Sequence, residues 1–181
     1  KIDYLKSISI GVWVGNGSRY ENKEVNGISH FIEHMLFKGT KNRSAAQIAH
    51  EIDSVGGQLD AFTSREYTCF YTKTLDSHIP IALEILSDML YNPSLSPDDM
   101  ALERQVIKEE IRMYEDSPED LVYDLSSYAA WGDTPMGRTI LGTYESLDGI
   151  TPDIMRNYMN NHYTSANTII SVSGNFDDTF F

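Results

Sequence analysis

Residues Gly56 to Thr74 read GGQLDAFTSREYTCFYTKT, and the antiparallel character of the protein follows from them. Gly56-Gly57 ends whatever precedes it. Gln58 to Thr63 and Tyr67 to Thr74 are then two strand-like runs, separated only by Ser64-Arg65-Glu66. So short a connection returns the chain beside itself as an antiparallel hairpin. Upstream, Ser7 to Gly15 alternates cleanly. Ile8, Ile10, Val12 and Val14 share one face, and Ser7, Ser9, Gly11 and Trp13 take the other, the pattern of a half-buried strand. Thr168 to Ser173, stopped by Gly174-Asn175, is the last strand candidate.

Helices fill the intervals. Between Gly27 and Lys38, Ile28, Phe31, Ile32, Met35 and Leu36 recur at helical spacing, and Gly39-Thr40 closes the run. Ser44-Ala45-Ala46-Gln47 has the form of a capping box and opens a helix carrying Ile48, Ile52 and Val55. His78 to Tyr91 is a strongly apolar helix closed by Asn92-Pro93. Ser96-Pro97-Asp98-Asp99 supplies an N-cap, a proline at the first helical position and acids facing the helix dipole. That helix should reach about Tyr114. Ser117-Pro118-Glu119-Asp120 and Thr151-Pro152-Asp153 repeat the grammar, predicting helices that end near Trp131-Gly132 and His162. Strand, two helices, hairpin, several helices and strand make an α+β class: a mainly antiparallel sheet with helices packed on it. No long linker or low-complexity tract interrupts the order, so residues 1–181 read as a single domain.

Composition narrows the partners. The 181 residues include 27 Asp and Glu against 14 Lys and Arg, a net charge of −13. A nucleic-acid binder needs cations to replace phosphate counterions, and an anionic membrane surface makes the same demand, so both are excluded as partners. Basic peptides suit the charge. Cys69 is the only cysteine, which rules out an internal disulfide framework and any multi-cysteine metal site. It is expected to pack as a small apolar residue. No apolar stretch reaches the roughly 18 residues of a membrane span. The chain starts at Lys1 without an initiating Met and runs straight into strand-like sequence, so it is expected to be truncated at both ends. Lys38, Lys41 and Arg43 read as a solvated helix end, and Trp13 and Trp131 as packing residues.

The chemistry centres on His30-Phe31-Ile32-Glu33-His34. On a helix, imidazoles at i and i+4 project from one face, where a single metal ion can take both. Glu33 lies on nearly the same face and can take a proton from water acidified by that metal. Catalytic zinc usually has three protein ligands plus water, so one donor is missing. Glu103, Val106, Ile107 and Glu110 form an i, i+3, i+4, i+7 stripe that mixes two carboxylates with two apolar residues. A carboxylate on a core-facing stripe is costly unless paired, hydrogen-bonded or metal-bound. Glu110 could be the third ligand, with Glu103 as an acceptor for a ligand imidazole. The spacing alone leaves Glu103, Glu109 and Glu110 open. His50, His78 and His162 have no partner at ligand spacing.

HFIEHMLFKGT (His30 to Thr40) resembles the metal-binding helix of the inverted-motif zinc peptidases, the family of insulin-degrading enzyme, pitrilysin and mitochondrial processing peptidase. The resemblance continues through GGQLDAFTSREYTCFY (Gly56 to Tyr71), ERQVIKEEIRMYEDSPEDLV (Glu103 to Val122), GRTILG (Gly137 to Gly142) and SVSGNFD (Ser171 to Asp177). The Glu103 to Val122 wording most resembles the bacterial processing-peptidase-like branch. By this resemblance the chain is most of a metal-bearing half-domain. Zn2+ is then held by His30, His34 and Glu110, with Glu33 as general base and Glu103 as the essential glutamate outside the ligand set. Asp60, Ala61, Phe62 and Thr63 match the family's substrate-binding edge, where a peptide adds as an extra strand. Many members have Asn where this chain has Asp60, and a carboxylate cannot donate as an amide does.

The resemblance thus implies a zinc-dependent endopeptidase acting on peptides or unfolded polypeptide segments, with the isolated half inactive or weakly active. It also implies a second family half, on the same chain or a partner subunit, and a dimer. The alternative is a non-catalytic peptide-binding or assembly subunit of the same fold, although the five metal-site residues that inactive members tend to lose are all kept. A bacterial source would make the cytoplasm the expected compartment.

Overall fold

β1 (Ser7–Val14) turns its alternating residues as the sequence requires: Ile8, Ile10, Val12 and Val14 are buried beneath the helices. β2 (Gln58–Thr63) and β3 (Thr68–Leu75) form the expected hairpin, and β4 (Thr168–Gly174) completes a four-stranded sheet in the order β2-β3-β1-β4. Every pairing is antiparallel, with Ala61 opposite Phe70, Phe70 opposite Val12 and Val12 opposite Ile170. The computed structural model describes residues 1–177.

One face of the sheet carries helices. α1 (Ile28–Leu36) buries Ile28, Phe31, Ile32, Met35 and Leu36, and α2 (Ala45–Ser54) follows from the capping box formed by Ser44 and Gln47. α3 (Ile79–Tyr91) packs on β3, and α4 (Pro97–Asp116) crosses α1. α5 (Pro118–Trp131) and α7 (Pro152–His162) begin at the Ser117 and Thr151 caps that the sequence announces. α6 (Tyr144–Gly149) was not foreseen: it is a single short turn capped by Thr143, too brief to show a period.

The α1–α4 crossing fixes everything that follows. Arg104 of α4 lays its guanidinium over the Phe31 ring, 5.7 Å from the centroid. The same group donates to the carbonyls of Leu147 and Ile150 at 2.9 and 2.7 Å, tying α1, α4 and α6 together. At its N-terminus α1 meets the 137–142 loop almost backbone to backbone. Gly27 has a φ of +91°, and a Cβ there would lie 2.6 Å from the Leu141 carbonyl oxygen. Gly142, with a φ of +83°, crosses the Asn26 carbonyl equally closely, so two facing glycines are required.

Three expectations are corrected. Val106 is half exposed, so the α4 stripe is buried at Glu103 and Ile107 and open between them. Trp131 is exposed at the end of α5, a helix with no buried residue. The basic run after α1 is not simply solvated. Arg43 donates to Glu51, Glu84 and Asp88 at 2.9, 2.7 and 3.0 Å, and Lys38 pairs with Glu103. Burial would raise the Asp88 carboxyl, but donors from Thr40, Asn42, Asn92 and Arg43 outweigh it and hold the pKa down to about 2.

Candidate metal centre

α1 presents His30 and His34 one turn apart, with ring centroids 4.6 Å from each other. α4 brings Glu110 opposite them: its Oε2 lies 3.7 Å from His30 Nε2 and 3.6 Å from His34 Nε2. Donors bound tetrahedrally to one zinc at 2.0–2.1 Å stand about 3.3 Å apart, so this triad needs little adjustment. Among the described residues, His30, His34 and Glu110 are the group of titratable side chains arranged to hold a metal ion. Glu109, the neighbour that spacing left open, points away and pairs with Arg112 at the surface.

The electrostatics suit a cation. Burial, followed by the neighbouring imidazole of His34, pushes His30 down to about 3, so its ring is neutral and keeps a lone pair for a metal. Among the described residues its Nδ1 has no hydrogen-bond partner. Burial raises the carboxyls of Glu33 and Glu110 above their ordinary range, because both are charges short of compensating donors. A divalent ion between the ligands would relieve that cost. Glu103, buried on α4, accepts from His34 Nδ1 at 3.0 Å. That contact requires Nδ1 to carry the proton and turns the Nε2 lone pair towards Glu110.

The predicted substrate strand divides. Thr63 faces the helices and donates from Oγ1 to Glu33 Oε2 at 2.5 Å. Ala61 lies on the same face, partly buried against the core. Asp60 and Phe62 point to the opposite face of the sheet. There Asp60 accepts from Tyr71 Oη at 3.2 Å and from the Ala61 N–H at 2.8 Å. Phe62 joins Trp13, Tyr67 and Tyr71 in edge-on ring contacts. Among the described residues no strand lies beside the outer edge of β2. His50, His78 and His162 lie outside the metal-ligating group, and Cys69 is buried with its thiol pushed up to about 11 by burial.

The insulinase profile, peptidase family M16, matches residues 3–144. This chain belongs to that family. Over 176 residues it is 49% identical to a Bacillus subtilis protein named "Uncharacterized zinc protease YmxG", covering 97% of this chain and 43% of that protein. It is 41% identical to an Arabidopsis thaliana protein named "Probable mitochondrial-processing peptidase subunit beta, mitochondrial", covering 93% of this chain and 32% of that one. The M16 fold is also seen in a crystal structure of a Helicobacter pylori protease, with a TM-score of 0.91 and 28% identity over 97% of this chain and 42% of that one. A Pseudomonas fluorescens domain titled as an inactive M16 peptidase domain has the same TM-score of 0.91 at 16% identity, a likeness of fold alone. The chain therefore spans between about a third and two fifths of the length of these relatives. Zinc is the metal that goes with the family, and the donor set of this M16 chain fits it.

Three contributions are not legible in the sequence. Lys38 reads as part of a solvated helix end, and the link from Thr63 to Glu33 joins two elements whose spacing in the chain carries no signal. Glu21 also went unread. Its carboxylate, buried at the start of α1, accepts from the N–H groups of Gly27 and Ser29 at 2.7 and 2.9 Å and from Asn26 Nδ2 at 3.0 Å. Burial raises this carboxyl, and the N–H groups of the helix N-terminus offset part of that cost.

Proposed function

We propose that the chain is the metal-bearing half of a zinc endopeptidase that hydrolyses peptides or unfolded polypeptide segments. The observation that carries the reading is the meeting of His30, His34 and Glu110 with Glu33 one helical step away. His30 Nε2, His34 Nε2 and Glu110 would hold the zinc. Bound there, zinc supplies Lewis-acid polarisation of the scissile carbonyl and lowers the pKa of water.

The remaining work belongs to the chain's own residues. Glu33 takes the proton of the attacking water on a carboxylate oxygen and returns it to the leaving amine nitrogen. Its raised proton affinity, a consequence of burial, suits a group that must both accept and release a proton. Thr63 holds Glu33 Oε2, so the base is oriented by the strand that would receive the substrate. The unpaired edge of β2 offers backbone donors and acceptors to an extended peptide, which would add as a strand and lie across the carboxylate. Net acidity favours basic peptides. A second family half, in cis or in trans, would enclose the substrate, and a half supplied in trans would make the assembly a dimer.

Glu33→Gln in the intact polypeptide tests the assignment. Cleavage of a fluorogenic peptide should fall by about 10²–10⁴-fold, the usual worth of a positioned base. Zinc content should stay at the parent level. A variant that cleaves as fast as its parent removes Glu33 from the mechanism and favours a non-catalytic peptide-binding or assembly subunit.

A further inference from the structure

Lys38 stands two residues beyond the end of α1. The helix closes there with tight turns, Phe37 N–H to His34 O at 3.2 Å and Lys38 N–H to Met35 O at 3.1 Å. Gly39, at a φ of +116°, then turns the chain away. A cation suits that helix end. The Lys38 stem runs back to α4, and Nζ reaches Glu103 Oε1 at 2.6 Å. The other oxygen of the same carboxylate, Oε2, takes His34 Nδ1 at 3.0 Å. Glu103 is thus held at both oxygens, by an ammonium on one side and a ligand imidazole on the other.

From this geometry we infer that Lys38 is a positioning residue of the metal centre, acting through Glu103 to fix the tautomer and the ring orientation of His34. The inference rests on the three-ligand site proposed above. Charge supports it. Glu33, Glu103 and Glu110 bring three carboxylates to one small region, and a divalent ion offsets only two of them. The cations of α4 are engaged elsewhere: Arg104 on two carbonyls, Lys108 on Asp148 and Arg112 on Glu109. Lys38 supplies the remaining positive charge. Without it, Glu103 is a buried carboxylate with a single partner, free to turn its Oε2 away from His34. His34 then loses the acceptor that keeps its proton on Nδ1 and its Nε2 lone pair towards Glu110.

The test uses Lys38→Met and Lys38→Arg in the intact polypeptide, with two readouts. Zinc affinity is measured by competition with a chromogenic chelator, and the His34 tautomer by imidazole ¹⁵N NMR of the metal-free protein. Lys38→Met should weaken zinc by about 10-fold or more, the range of outer-shell changes. It should also turn a single Nδ1–H signal into a tautomer mixture. Lys38→Arg, which keeps the charge and can reach the carboxylate, should restore both. Should Lys38→Met misfold, Lys38→Arg still decides, because a guanidinium that leaves either readout altered contradicts a role carried by charge and reach. Unchanged zinc affinity and an unchanged Nδ1–H signal in Lys38→Met overturn the inference. A parent without zinc affinity overturns the ligand set instead, and the metal-free tautomer then judges Lys38 alone.

Discussion

Buried acid meets α1 in two places, at its N-terminus and on the side that faces α4, and the two are satisfied differently. At the N-terminus Glu21 is 1% exposed, and burial raises its carboxyl, but two backbone N–H groups and the Asn26 amide offset that in part and hold both oxygens. On the side of α1 that faces α4, and among the described residues, Glu33 has only the Thr63 hydroxyl, Glu110 faces two imidazoles, and His30 Nδ1 has no hydrogen-bond partner. A saturated buried charge holds a fold together, whereas an unsaturated cluster is tolerated where a ligand completes it. One helix serves both cases, since Ser29 donates to Glu21 and the next residue, His30, faces Glu110.

The sharpest way to break this contrast is to remove one group at each place and see what is lost. Glu110→Gln should weaken zinc by more than the roughly 10–100-fold of an outer-shell change. The metal-free fold should be as stable as the parent, because a strained carboxylate has been neutralised. Denaturant unfolding that shows a large loss of stability would mean that Glu110 is structural after all. Glu21→Gln should do the reverse. Its amide would set an NH2 group against the N–H of Gly27 or Ser29, costing about 1–3 kcal/mol of stability. Folded Glu21→Gln protein should bind zinc about as well as the parent, and a collapse of zinc affinity at full stability would erase the distinction.

A smaller effect sharpens the comparison through pH. Unfolded His30 takes a proton near 6.5, but the folded residue stays neutral down to about 3. Between those values the unfolded state binds the extra proton, so the metal-free protein loses stability as pH falls, by at most about 1.4 kcal/mol per pH unit. Glu33 and Glu110, raised by burial, act in the opposite sense. They do so in both parent and His30→Gln, so the difference between their stability slopes from pH 7 to 5 reports His30. Equal slopes would show that His30 titrates like an exposed residue and that the metal-facing side of α1 is less desolvated than its geometry implies.

Within single elements the sequence was an accurate guide. The alternation in β1, the Ser44–Gln47 capping box and the Ser96, Ser117 and Thr151 caps all appear where local rules put them. The rules failed where a contact joined distant elements. Arg43 looks like a surface cation, yet it packs against Asp88, 45 positions later in the chain. Trp131 looks like a core residue, yet α5 has no buried face among the described residues. Neither outcome is written into the neighbouring residues, because each depends on what another element brings alongside.

The same boundary runs through the metal centre. The sequence by itself determined that His30, Glu33 and His34 share a helix face, because 3.6 residues per turn fixes side-chain directions within one helix. It also determined that α4 carries carboxylates at seven-residue spacing. Spacing left Glu109 and Glu110 open, and the tertiary structure turns Glu110 to the imidazoles and Glu103 to His34; it alone decided that Lys38 and Thr63 reach the site. Those choices depend on the rotation and depth of α4 against α1. Close packing around Phe31, Ile107 and Arg104 sets both, and no period along the chain encodes them.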